Sequence, residues 1–143
     1  MRLFLDSSVL LAACGSAKGA SRAVFHLAPT AGWTLLSSSY VVNEVLRNLP
    51  NLPGAATAAW IGLRRQLILV DDVVTLDRPV IFSASKDRPI LFTALASSEA
   101  LLTLDREDFG TMIGGVFYGL RVRLPFGFLE EERAAGRLLI ARP

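Results

Sequence analysis

Apolar residues in this chain fall in short runs, each closed by a polar or turn-forming cluster. Arg2 to Leu5 predicts a short apolar strand that ends abruptly at Asp6-Ser7-Ser8. Val9 to Cys14 predicts a helix stopped by Gly15, and a second helix is expected over Ser21 to Ala28, ended by Pro29 and a turn at Gly32. Trp33 to Leu36 is strand-like. Ser37-Ser38-Ser39 then offers N-cap hydroxyls for a helix through Leu49. Pro50 and Pro53 break that helix, an Ala-rich helix is expected over Gly54 to Leu67, and Leu67 to Val74 predicts a strand or strand pair interrupted by Asp71-Asp72.

Thr75 to Ser85 predicts a loop with one short strand or turn. Lys86-Asp87-Arg88-Pro89 reads as a helix start, an Asp cap followed by Pro in the first turn, and that helix runs to about Ser98. Ala100 to Leu104 predicts a buried strand stopped by Asp105. Val116 to Val122 predicts a further strand, and Phe128 to Leu139 a last helix. Strands and helices alternate, which argues for an α/β sandwich with a mostly parallel sheet.

The 143 residues, 52% of them hydrophobic, suit one domain over 1–143 that buries a core without disulfides or a structural metal. One Cys and one His exclude a disulfide framework, multi-Cys zinc and His-rich metal sites. Cys14 and His26 are expected as core or helix residues, and Trp33 and Trp60 as packing anchors. Chemistry is left to carboxylates, hydroxyls and arginines. Of 15 basic residues 13 are Arg, a bias that suits phosphate recognition and equally reflects genome composition. A net charge of +2 identifies no nucleic-acid binder by itself, but is compatible with one whose arginines surround a pocket of acids. Leu11-Ala12-Ala13-Cys14 looks like a lipoprotein cleavage site, yet Asp6 interrupts the apolar segment before it. No uncharged run reaches the roughly 18 apolar residues of a spanning helix. The expectation is a soluble, cytoplasmic protein with no membrane partner.

In an open parallel sheet the ligand crevice lies beyond the carboxyl ends of the strands. Asp6 and Asp105 stand at such ends. Asp87 heads the helix leading into the second of those strands, 18 residues before Asp105, so both are expected at the crevice. On the helix after Ser39, Val41, Val42, Val45, Leu46 and Leu49 form the apolar face, and Glu44 lies about 60° outside it, able to lean toward the crevice. Four carboxylates with almost no His or Cys suit Mg²⁺ or Mn²⁺, which would relieve their mutual repulsion. Each acid has a plainer alternative. Asp87 can cap its helix, Glu44 can pair with Arg47, Asp105 and Asp108 can be turn residues, and Asp108 can cap a short helix. Asp6 is the hardest to explain that way.

Met1-Arg-Leu-Phe-Leu-Asp6-Ser-Ser, Ser39-Tyr-Val-Val-Asn-Glu44, Lys86-Asp87-Arg-Pro-Ile-Leu and Leu101-Leu-Thr-Leu-Asp105-Arg-Glu-Asp108-Phe, in that order, resemble the PIN domain, whose prokaryotic members include VapC-type toxins. The similarity runs from Arg2 to about Leu129, and Pro50 to Ser85 has no counterpart in it. The resemblance implies a three-layer α/β/α sandwich and a Mg²⁺- or Mn²⁺-dependent endoribonuclease that hydrolyses RNA phosphodiester bonds. It implies Asp6, Glu44, Asp87 and Asp105 as the catalytic, metal-binding quartet. Thr103 and Ser7 or Ser8 would support it, with Asp108 as an additional acid. Arg88 and Arg106 would contact RNA phosphates. The implied partners are RNA and an antitoxin protein, and the apolar composition suits such a partner or a homodimer. The alternative is a non-catalytic PIN-like domain that binds RNA or protein. A haloacid-dehalogenase-type phosphatase would need a second Asp where Ser8 stands, and a receiver domain would need paired acids and a Lys that are missing.

Overall fold

The computed structural model describes residues 1–75 and 87–138. Six strands form one sheet: β1 (Arg2–Leu5), β2 (Thr34–Ser38), β3 (Leu67–Val70), β4 (Ala100–Leu102), β5 (Val116–Phe117) and β6 (Leu120–Arg123), in the order β3-β2-β1-β4-β6-β5. All neighbours are parallel except β5, which runs antiparallel to β6. Seven helices are described: α1 (Ser7–Gly15), α2 (Ala20–Ala31), α3 (Ser39–Asn48), α4 (Ala55–Arg64), α5 (Arg88–Ser97), α6 (Arg106–Phe109) and α7 (Pro125–Ala134). The result is a three-layer α/β/α sandwich. α1 packs against α2, α3 and α4, α2 against α7, and α5 against β1, β4 and α3.

The two central strands carry no polar alternation because both of their faces are covered. Leu3, Phe4 and Leu5 of β1 and Ala100, Leu101 and Leu102 of β4 are wholly buried. Phe4, Phe25, Phe109 and Phe128 fill the space between sheet and helices, and Trp33 meets Phe128 edge-on at 5.0 Å. Trp33, Trp60 and Cys14 are buried as expected, and His26 is the expected helix residue, exposed on α2. Among the described residues no helix is long and apolar enough to cross a membrane.

Several boundaries differ from those the sequence suggests. α2 does not stop at Pro29 but runs through it to Ala31. The proline sits in the last turn, where few later residues depend on it, and Gly32 (φ 73°) ends the helix. The Gly32 and Trp33 N–H groups both close on Ala28 O. The single strand expected over Val116 to Val122 is a hairpin instead. Tyr118 and Gly119 adopt positive φ of 49° and 86°, the backbone of a tight two-residue turn that reverses the chain. The last helix starts at Pro125 rather than Phe128, because a proline at N1 needs no donor there, and it ends at Ala134 rather than Leu139. The Ala-rich helix stops at Arg64, and β3 at Val70. Leu46, expected on the buried face of α3, is half exposed. The loop expected over 76–85 and the helix start at Lys86 lie outside the described residues.

One ion pair, a buried acid with an exposed arginine, pins the C-terminal turn. Glu132 of α7 is 1% exposed and accepts two hydrogen bonds from Arg137, at 2.7 and 2.9 Å, with Arg121 at 3.6 Å. The Arg137 hydrogen bond is the main reason that the Glu132 carboxyl lies below its ordinary value. A lowered carboxyl stabilises the fold above its ordinary value, and that contribution is lost as pH falls through the lowered one. Glu132→Gln is therefore expected to lower the Tm at pH 7 by roughly 4 °C. The gap to the native protein should close as pH drops below 4.5, followed by thermal unfolding across a pH series.

Candidate active site

The parallel register sets the crevice end of the sheet. Leu5 pairs with Leu102, so the next residue of each strand, Asp6 and Thr103, stand side by side at the carboxyl ends. The Asp6 N–H continues the ladder to Leu102 O at 3.1 Å. Asp6 is also the N-cap of α1, its Oδ1 accepting from the Ser7 N–H at 2.7 Å. Its other oxygen accepts from the Thr103 hydroxyl at 2.8 Å and the Ser8 hydroxyl at 3.0 Å. Asp6 is 3% exposed, and all of these donors are neutral. Burial pushes its carboxyl above the ordinary value. The hydrogen bonds from Thr103, Ser8 and the Ser7 backbone oppose that push, and the Glu44 carboxylate adds to it.

Thr103, wholly buried, links two acids. While its hydroxyl donates to Asp6, it accepts the Asp105 N–H at 3.0 Å. Ser8 makes a parallel clip, donating to Asp6 and accepting the Leu104 N–H at 3.0 Å. Two hydroxyls thus tie the end of β1 to the loop after β4. Ser7 reaches the other way: its hydroxyl donates to Glu44 Oε2 at 2.6 Å and lies 3.3 Å from Asp6 Oδ1. Glu44 on α3 therefore turns toward the end of β1.

A second group of acids converges alongside. Asp87, Asp105 and Asp108 each bring a carboxylate oxygen within 4.8 Å of the others. Asp87 is 5% exposed at the N-cap position of α5, but its side chain makes no capping hydrogen bond to that helix. Asp105 caps α6, its Oδ1 accepting from the Glu107 and Asp108 N–H groups at 3.1 and 3.0 Å. That cap folds the short α6 back so that Asp108, within the helix rather than capping it, points its carboxylate at Asp105. The structure gathers Asp87, Asp105 and Asp108 into one group and Asp6, Ser7, Ser8, Thr103 and Glu44 into another, with Thr103 joining the two. Arg88 is exposed at the start of α5 and Arg106 at the start of α6. The Ser8 clip to Leu104 is the feature the residue pattern left least legible, since a serine two after an acid is an ordinary helix-start residue.

Such a donor set, all hard oxygen with no nitrogen or sulfur, fits a divalent cation of the Mg²⁺ or Mn²⁺ kind. Asp6, whose hydrogen-bond donors are all neutral, would gain from the positive charge such a cation brings.

The sheet order and the α/β/α layering are those of a PIN-like fold. Of solved structures, this one resembles VapC20 of Mycobacterium tuberculosis, a sarcin-ricin loop cleaving toxin, with a TM-score of 0.51 and 19% identity over 80% of this chain and 96% of that one. No protein-family model matches the sequence, and no curated protein matches it significantly.

Thr103→Val keeps the side chain's shape and removes its donor and acceptor. It is expected to cost about 1–3 kcal/mol of stability in urea unfolding, because the half-buried Asp105 N–H and the buried Asp6 oxygen both lose a partner. Thr103→Ser should restore most of that.

Proposed function

We propose that this protein is a metal-dependent endoribonuclease, and the observation that carries the reading is the convergence of Asp87, Asp105 and Asp108 beside the buried, raised Asp6 at the carboxyl ends of the central strands. Asp6, Glu44, Asp87 and Asp105 would hold Mg²⁺ or Mn²⁺, with Asp108 beside Asp87 and Asp105. When bound, the ion neutralises the carboxylates, lowers the pKa of water and stabilises the leaving oxygen of a phosphodiester.

The chain's own residues set that geometry. Thr103 and Ser8 fix one Asp6 oxygen, and the Ser7 N–H fixes the other. Ser7 holds Glu44 in the site through a single hydroxyl. Asp105 is oriented by its cap on α6 and by Thr103. Arg88 and Arg106, both exposed and each directly following one of the acids in sequence, bind RNA phosphates. The likeness to VapC20, a toxin, supports an assignment as the toxin of a toxin–antitoxin pair, with a small antitoxin protein as its partner in the cytoplasm.

Labelled single-stranded RNA incubated with the protein should be cut in Mn²⁺ or Mg²⁺ and remain intact in EDTA. Asp6→Asn should abolish cutting, and Ser7→Ala should slow it about 10–100-fold, the usual loss when a support of a metal-ligand residue is removed. Protein that binds RNA yet never cuts it in any metal would overturn the nuclease and leave a binding domain. Because Asp6 is raised, a proton competes with the ion at higher pH than an ordinary carboxylate allows. Calorimetric Mn²⁺ affinity should therefore keep rising with pH above the ordinary Asp value of 3.8, with proton release on binding.

A further inference from the structure

Beside the acids lies a cavity of about 340 Å³, within the size range of small-ligand sites. Its wall takes Leu104 and Arg106, the two residues that flank Asp105 in the chain, so it lies against the loop that carries Asp105, although none of the acids lines it. It is further lined by the first turn of α2 (Gly19, Ala20, Ser21) and by Leu124, Pro125 and Phe126 at the start of α7.

Three features of this wall call for a ligand with an anionic and a flat apolar part. α2 is 12 residues long, and its N-cap, Gly19, provides no side-chain cap, so the first N–H groups of the helix lack that partner. Ser21 in that turn is 5% exposed, and its hydroxyl makes no hydrogen bond among the described residues. Arg106 is exposed and, like Arg47, Arg64 and Arg65, makes no ion pair or hydrogen bond among the described residues; of these it alone lines the cavity. Against this polar set stand Leu104 and Phe126, 40% and 64% exposed, a large apolar surface to leave in water beside a charged site.

We infer that this cavity is a nucleotide subsite for the RNA substrate, taking the phosphate next to the scissile one on the α2 N-terminus, Ser21 and Arg106, and its unpaired base against Phe126 and Leu104. The chemistry follows from the wall: helix N–H groups and an arginine recognise phosphate oxygens, and an exposed aromatic ring stacks a base of any identity. The substrate class rests on the nuclease reading, but binding at the cavity is measurable without cleavage.

The test uses a short fluorescein-labelled single-stranded RNA in EDTA, with affinity read by anisotropy over a salt series. The same preparations are assayed for cutting in Mn²⁺. Arg106 and Phe126 are exposed, so Arg106→Gln and Phe126→Ala should fold like the native protein. Each is expected to weaken binding about tenfold. Arg106→Gln alone should reduce the slope of log K against log salt, by about 0.7 for one lost phosphate contact on a single strand. Native cutting with both variants binding RNA like the native protein would leave the nuclease standing and overturn the subsite. Native protein that never cuts, but binds RNA in a way both variants weaken, would support the subsite and overturn the nuclease. Absence of RNA binding, or binding indifferent to both variants, would assign the cavity to another occupant, a protein partner included, and overturn the proposal.

Discussion

The carboxylate of Asp6 sits almost out of reach of solvent at the end of a central, buried strand, and its charge must be met there. Neutral donors meet part of it: two hydroxyls and one backbone N–H. They do not overcome the cost of burial, since the carboxyl stays above its ordinary value. Much of the surrounding structure follows from this one group. Thr103 is buried because it must reach Asp6, Ser8 draws the loop after β4 over α1, and Ser7 pulls Glu44 inward. A site that leaves its central acid short of positive charge is poised for a cation, and on the reading proposed here that need becomes the chemistry.

The sheet order makes this arrangement possible. With β1 between β2 and β4, all three parallel, three chain ends emerge together on one side, and α1, α3 and the α6 loop begin there. Residues 97 positions apart then lie within hydrogen-bond reach. The buried inner strands supply rigidity: with every side chain of Leu3 to Leu5 and Ala100 to Leu102 enclosed, the strand ends cannot shift without disturbing the core.

Much of this was legible in the residue pattern, for identifiable reasons. Asp6 and Asp105 interrupt apolar strands, and a polar stop at a strand end is visible without coordinates. The strands themselves are apolar runs bounded by polar stops, so their type is visible in the sequence, whereas their order in the sheet is not. The hairpin after Val116 was not legible, because nothing about Tyr118 announces a left-handed residue and the apolar run continues through it. Pro29 misled in the other direction, since a proline in a last turn removes little that the helix needs. Asp108 looked peripheral because its place depends on Asp105 capping α6, an event of three dimensions rather than of spacing. The cavity beside it was hidden for a similar reason, as its wall is assembled from four separate segments of chain.

The central claim is that the crevice acids form one cation site, and anomalous scattering from crystals soaked in Mn²⁺ tests it most directly. The account predicts a manganese peak contacted by carboxylate oxygens of Asp105 and Asp87, adjacent to Asp6, and absent from crystals of Asp105→Asn. Saturating Mn²⁺ that gives no peak among these carboxylates, or a peak that persists in Asp105→Asn, would contradict it.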